Sequence, residues 1–150
     1  MTPSLANSGY GAVFSVGVLA GSPAEIGYTP VSEIATINKK NFTVPSIDVT
    51  HLQSPDATEE MIPGIIKPGT IEMTGNYIGD ASQLQFVTLA KARTPFPFQI
   101  TAPMQKNTKV LTSVGVCFVT DYETGPFEAN KKIDFKVMLQ VTGTVTETVA

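Results

Sequence analysis

The chain has 150 residues, of which 42% are hydrophobic, and its net charge at neutral pH is −3. A domain of this size buries on the order of 70% of its unfolded surface, so one core suffices for folding without disulfides or metals. The charge excludes the basic surface of a tight nucleic-acid binder, the single cysteine excludes an intramolecular disulfide, and the apolar stretch at residues 12–20 is too short to cross a bilayer.

The first elements in chain order are an arm, a strand and a turn region. Residues 1–8 predict a mobile N-terminal arm, because polar, proline-containing termini are commonly disordered, and residues 9–150 predict a single β domain. Period-two alternation from Tyr10 to Val18 predicts a half-buried strand. Glycine and proline at residues 21–30 predict turns, and residues 31–38 predict a second strand.

The segment from Ile47 to Asp80 predicts two strands separated by an unusual loop. Residues 47–50 and 70–78 are the predicted strands, and the acidic residues between them are followed by the apolar run at residues 61–66. Most connections are about four to six residues long, so a loop of roughly twenty residues is usually functional or disordered. The apolar run argues against disorder.

A helix is predicted at about residues 80–93. Asp80 and Gln83 have the spacing of a capping box, and Pro95 ends the segment. The predicted apolar stripe packs on a sheet and consists of Leu84, Val87 and Ala90, with Phe86 and Leu89 beside them. Lys91 and Arg93 fall in the predicted last turn, where the helix dipole favours cations.

The rest of the chain predicts strands. Phe96, Phe98 and Ile100 share one face of a short strand that its prolines place towards a sheet edge. Residues 110–122 are apolar on both faces, which predicts a strand covered on both sides. The final strand alternates cleanly, with residues 133, 135, 137, 139 and 141 on one face. The fold class is therefore all-β, a two-sheet sandwich or barrel of roughly seven or eight strands with one flanking helix.

The residues that commonly carry catalysis give no constellation in the sequence. The only histidine is His51, and a single histidine cannot supply a cluster of histidine metal ligands. Cys117 lies in the most apolar strand and is expected to be a small core residue. Glu59 and Glu60 are adjacent and are expected to be solvated. These observations predict a protein that is not an enzyme and uses no metal or cofactor.

Four short pieces, in this order, resemble the tail tube proteins of long-tailed, lambda-type bacteriophages (siphoviruses). They are Ile-Asp-Val-Thr at residues 47–50, Glu-x-Ile-Pro-Gly at 60–64, Gly-x-Ile at 69–71 and Val-Thr-Gly at 141–143. The resemblance implies a tube-type β fold, hexameric rings of identical subunits stacked into a hollow virion tail, and DNA passage through the lumen. It also implies tape-measure, tail-tip and terminator proteins as partners, and synthesis in the host cytoplasm.

The long loop is the predicted subunit interface. An apolar and acidic loop can lie on a neighbouring subunit, and each Å² of apolar surface removed from water there contributes about 25 cal/mol. The alternative is that the segment folds back over its own core. An acidic lumen would let DNA slide, since each phosphate neutralised by a cation adds affinity, and Asp48 is the predicted lumen-facing acid. The predicted interface residues are Asp56, Glu59, Glu60, Met61, Ile62, Ile65 and Ile66.

Two other functions remain open from the sequence. A secretion-system tube protein would share the fold and form rings, and neighbouring genes would separate it from a phage protein. A monomeric β-sandwich binding module, for example for carbohydrate, usually displays exposed aromatic side chains. The chain has no tryptophan, and most of its phenylalanines fall on predicted core faces.

Overall fold

The computed structural model describes residues 4, 6–20, 25–104, 106 and 108–150. Its main element is a seven-stranded antiparallel sheet in the order β2-β1-β9-β10-β11-β8-β3. Two short ribbons, β4 with β7 and β5 with β6, lie outside this sheet. The strands are β1 (Val13–Ala20), β2 (Glu25–Pro30), β3 (Ile34–Lys39), β4 (Phe42–Thr43), β5 (Ser46–Asp48), β6 (Met61–Pro63), β7 (Lys67–Pro68), β8 (Thr70–Asn76), β9 (Phe96–Met104), β10 (Lys109–Thr124) and β11 (Asp134–Val149).

The sheet curls around its own core without closing into a barrel. Near β3, the Val31 N–H donates to the Phe14 carbonyl of β1 at 2.9 Å, although several strands separate β3 from β1 in the sheet order. At the other end of β3 the Lys39 ammonium donates to Ser113 Oγ of β10 at 2.7 Å. The core consists of Phe14, Val16, Val31, Ile71, Met73, Phe86, Phe96, Phe98, Ile100, Cys117, Phe135, Val137, Leu139 and Val141.

The predicted all-β class with one flanking helix is confirmed. In β11, residues 135, 137, 139 and 141 are buried, as the alternating pattern predicts. In β9 the same is true of Phe96, Phe98 and Ile100. These strands read correctly because burial on one face imposes a period of two on the sequence.

Residues 25–30 correct the sequence prediction. They were predicted as turn but form β2, which pairs antiparallel with β1 from Ser15↔Pro30 to Ala20↔Glu25. The strand lies at the edge of the sheet, where a glycine and a terminal proline are tolerated because no further strand needs their backbone groups. Residues 21–24 lie outside the described part of the chain.

The helix α1 (Ala81–Ala92) begins where the capping residues predict. The Asp80 side chain accepts a hydrogen bond from the Gln83 backbone N–H at 3.1 Å, as an N-cap residue does. Arg93 lies beyond the last turn, as the C-cap in the left-handed conformation. The predicted stripe is wrong in phase, because the fully buried helix residues are Gln83 and Phe86, whereas Leu84 is 44% exposed.

The buried side chain of Gln83 joins the helix to two segments of backbone. Its Oε1 accepts from the N–H groups of Ile78 and Gly79 at 2.9 and 3.1 Å. Its Nε2 donates to the carbonyls of Ser32 and Asn76 at 3.0 and 2.8 Å. A capping box would direct this side chain back to the backbone of Asp80. It is instead a fully satisfied polar group in the core, which anchors the start of the helix to the ends of two strands.

Two predictions about the central strands are also wrong. The strand β9 is internal and lies between β1 and β10. Its Pro97 is tolerated because the pairing of β9 with β1 stops at Phe98, so residue 97 is paired only with β10. The strand β10 is covered on one face only, with Val116 40% exposed.

The prediction of a mobile N-terminal arm at residues 1–8 stays a prediction, since residues 1–3 and 5 lie outside the described part of the chain. Of the remainder, Asn7 Oδ1 accepts a hydrogen bond from the Lys106 N–H at 3.0 Å.

Candidate assembly surface

Residues 42–68 form a long hairpin outside the main sheet, which we call the hairpin arm. Its base is the β4–β7 pair, with Phe42 opposite Pro68. Its outer half is the β5–β6 pair, with Ile47 opposite Ile62. Between the halves the Gly64 N–H donates to the Pro45 carbonyl at 2.7 Å, which keeps the two strands together. The loop predicted to lie outside the sheet is therefore an ordered part of a projecting arm.

The predicted apolar interface residues are exposed on this arm. Met61 and Ile62 of β6 are 50% and 47% exposed, and Ile65 is 87% exposed. Ile66, also exposed, lies next to the base. None of the four belongs to the buried core cluster or to the hydrophobic residues packed against it.

The predicted acidic residues lie at or near the tip loop of the arm, which we define as residues 50–59. Asp56 lies in a single 3₁₀ turn (Pro55–Ala57) with a left-handed φ of 57°, and both Asp56 and Glu59 are exposed. Glu60 organises the loop from its base. Its carboxylate accepts from Ser54 Oγ at 2.6 Å and lies 3.3 Å from His51 Nε2. Its charge is used to hold the loop together, whereas those of Asp56 and Glu59 face solvent.

Asp48, the predicted lumen-facing acid, lies on β5 and is exposed. Its Oδ1 accepts from the Thr50 N–H at 2.8 Å. Hydrogen bonding by Thr50 lowers the pKa of Asp48 below its usual value. The larger effect comes from the Thr50 side chain and the smaller one from its backbone. The carboxylate is therefore firmly ionised at neutral pH.

The sequence prediction missed half of the apolar surface of the arm. The first strand of the hairpin also exposes large apolar side chains, and the tip loop carries a leucine that is 106% exposed. Alternation was the available signal, since Phe42 and Val44, and then Ile47 and Val49, are spaced as strand residues on one face. A single chain cannot show which residues of such a face will be covered. The missed residues are Phe42, Val44, Ile47, Val49 and Leu52.

The described residues form no group of side chains that could hold a metal ion. No cluster of three or more histidine, cysteine or acidic side chains occurs among them. His51 is half-exposed and its Nδ1 accepts from the Gln53 N–H at 3.1 Å, so it is a loop-stabilising residue. The Cys117 thiol is fully buried, as predicted, and burial raises its pKa. No helix among the described residues is long and apolar enough to span a membrane.

Comparison with known proteins gives no match to a family model. No curated protein sequence matches either.

Solved structures, in contrast, match nearly the whole chain. A chain in the tail of an empty gene transfer agent particle, refined with C6 symmetry, superimposes with a TM-score of 0.72 at 14% identity, over 95% of this chain and 99% of that chain. The tube-terminating cap of the anti-feeding prophage gives 0.70 at 12% identity, over 100% and 95%. The SPP1 tail tube gives 0.63 at 13% identity, over 93% and 77%. The chain therefore has the tail tube fold that the sequence resemblance implies, and at these identities the fold is what the comparison shows.

Proposed function

We propose that this chain is a structural, non-enzymatic protein of a phage tail, which self-assembles into the hollow tail tube of the virion. The carrying observation is the hairpin arm, which on a tail tube fold exposes nine large apolar side chains between Phe42 and Ile66. Patches of this kind on soluble chains usually mark interaction sites. Full burial of an isoleucine contributes about 1.5–3 kcal/mol, so each half-exposed side chain has roughly 1 kcal/mol to gain in a contact.

In the proposed assembly, six copies form a ring and the rings stack. A contact between two different surfaces of identical subunits closes into a ring when its rotation permits. The arm supplies one such surface, using the predicted interface residues from Asp56 to Ile66. Tape-measure, tail-tip and terminator proteins would be the partners that set the length and the ends of the tube.

Double-stranded DNA would pass through the lumen without being bound. Only ten lysine and arginine residues stand against thirteen acids, and Asp48 is the proposed lumen-facing carboxylate. Replacing Asp48 by lysine should slow DNA ejection in a salt-dependent way, because the added cations would hold phosphates. If the variant ejects DNA at the wild-type rate at low salt, Asp48 does not line the channel.

A second candidate is the tube of a contractile injection system. The matches to the anti-feeding prophage cap, and to the sheath–tube complex of an extracellular contractile injection system at a TM-score of 0.68, favour it. Both candidates predict a tube, and they differ in the genes beside this one. Tape-measure and capsid genes without a sheath gene indicate the long-tailed phage, whereas a sheath gene indicates the injection system.

The deciding experiment is negative-stain electron microscopy of the purified chain over rising concentrations, with light scattering in parallel. Rings or hollow tubes are expected. A chain that stays monomeric at every concentration, and also when tail-tip proteins are added, would contradict the tube and favour a monomeric binding module.

A further inference from the structure

The hairpin arm has a groove at its base. The groove has a volume of about 580 Å³ and lies between Phe42, Ile66 and Pro68 of the arm and Thr144 and Val145 of β11. It exists because the pairing of β8 with β11 ends at Thr70↔Gln140. The residues just before Thr70 form β7, which pairs with β4, so the part of β11 beyond Gln140 has no strand of β8 beside it. Phe42 and Ile66 are each 62% exposed, so the groove has an apolar floor that the chain itself leaves uncovered.

Two exposed lysines are sequence neighbours of the residues that line the groove. The one acid that lines it, Glu147, is already paired with the Lys39 ammonium at 3.5 Å. Lys40 precedes the lining residue Asn41, and Lys67 lies between the lining residues Ile66 and Pro68; both lysines are exposed, and neither lines the groove itself. Neither lysine takes part in an ion pair among the described residues. The groove thus has an apolar floor, and two exposed lysines without an ion pair among the described residues lie next to its lining residues in the sequence.

The tip loop has the opposite character. Leu52 is fully exposed, and Asp56 and Glu59 are exposed without an ion pair among the described residues. The two ends of the loop are joined by a hydrogen bond, which the Glu60 N–H donates to Thr50 Oγ1 at 2.8 Å. A loop that carries one exposed leucine and two carboxylates is suited to an apolar groove whose lining residues have two exposed lysines as sequence neighbours.

The tip and the groove cannot meet within one chain. The paired strands of the arm separate them by about six residues, which at about 3.3 Å per residue is roughly 20 Å. A surface at one end of the arm and its complement at the other end can be satisfied only between copies. Such a contact is head-to-tail, which is the type that generates rings and stacked assemblies.

We propose that the tip loop of one copy docks in the base groove of the next copy, with Leu52 on the apolar floor and Asp56 and Glu59 facing Lys40 and Lys67. This proposal rests on the proposed tube function and names the two surfaces that join its subunits. The occupant of the groove is thereby the same chain, and no other protein is needed to cover it.

Cysteine cross-linking tests the pairing directly. Two chains with tags of different size carry Leu52→Cys and Thr144→Cys, respectively, and are mixed, assembled and oxidised. The native Cys117 is fully buried and does not compete. A disulfide requires Cα atoms within about 7 Å, so a mixed-tag band is expected only if the tip reaches the groove. Thr88→Cys, at an exposed position of α1, a helix that contributes no residue to the groove lining, replaces Thr144→Cys in the control and should give no band.

Charge reversal gives an independent readout. Lys40→Glu with Lys67→Glu, or Asp56→Lys with Glu59→Lys, should each raise the concentration needed for assembly about tenfold, the equivalent of 1.4 kcal/mol. The quadruple variant restores opposite charges, returns the net charge to −3, and should assemble like the wild type. Rescue would not occur if the four residues acted on unrelated surfaces.

The outcomes separate this proposal from the function on which it rests. A mixed-tag band together with charge rescue supports the pairing. Tubes or rings without the band, or without rescue, overturn the pairing and leave the tube function standing. A wild-type chain that forms no assembly at any concentration, with or without tail-tip proteins, overturns both.

Discussion

Replacing Gln83 by alanine removes the polar side chain that fixes α1 to the sheet. The residue is fully buried, and its amide makes four hydrogen bonds, all to backbone groups, at distances between 2.8 and 3.1 Å. These backbone groups belong to the C-terminal end of β8, to the residues that follow it and to the segment that precedes β3, so the side chain holds the helix to two strands.

The expected loss follows from the number of partners. Each hydrogen bond contributes about 1 kcal/mol net, so four give roughly 4 kcal/mol. A chain of this length has a free energy of unfolding of about 7–15 kcal/mol, and a loss of 4 kcal/mol lowers the melting temperature by roughly 8–16 °C. Water entering the vacated space would reduce the loss, whereas the isosteric Gln83→Met excludes water and should cost at least as much as alanine.

Urea unfolding followed by far-ultraviolet circular dichroism measures the effect, since the chain has no tryptophan to report by fluorescence. Gln85→Ala is the matched control. It lies on the same helix, is only partly buried, and its amide makes a single hydrogen bond to the Ser82 carbonyl at 2.8 Å. The control should lose about 1 kcal/mol or less. A Gln83→Met variant within 1 kcal/mol of the wild type would refute the reasoning, because four buried backbone groups would then be unpaired at little cost.

Three further predictions concern the arm and its base. Ile62→Asp should leave a folded, soluble chain by circular dichroism that forms no tubes by electron microscopy, since the side chain is already 47% exposed; unfolding would instead mean that it supports the fold. Gly69→Ala should abolish soluble expression, because a Cβ there would lie 1.7 Å from the Lys40 carbonyl oxygen; a stable variant would show that this backbone can move apart. Hydrogen bonding by Thr50 lowers the pKa of Asp48 from its usual value of 3.8. The ionised Asp48 side chain therefore stabilises the folded chain above that pH, and this stabilisation is lost as the pH falls through the folded-state pKa. Wild type and Asp48→Asn should therefore differ in melting temperature at pH 7 and converge near pH 2, and an equal gap at both pH values would contradict the assignment.

The sequence alone determined the elements whose signals are local. The alternation of β11 is imposed by burial of one face and reads directly as a strand. The start of α1 was readable because an N-cap aspartate satisfies a backbone N–H only three residues away. The all-β class follows from several such segments, and the tail tube fold is what the resemblance of four short pieces to tail tube proteins implies.

Only the tertiary structure decided which polar residue is buried and which apolar residues are exposed. Gln83 is buried because its four partners come from the surrounding segments, and periodicity assigns a polar residue to the outside when those partners are unknown. Phe42 is exposed because its strand leaves the sheet to begin the arm. Burial is set by which distant segments meet, and the pairing of β4 with β7 across the whole arm is a contact that no local pattern contains. The groove at the base of the arm arises from the same cause, since it lies where β8 stops pairing with β11.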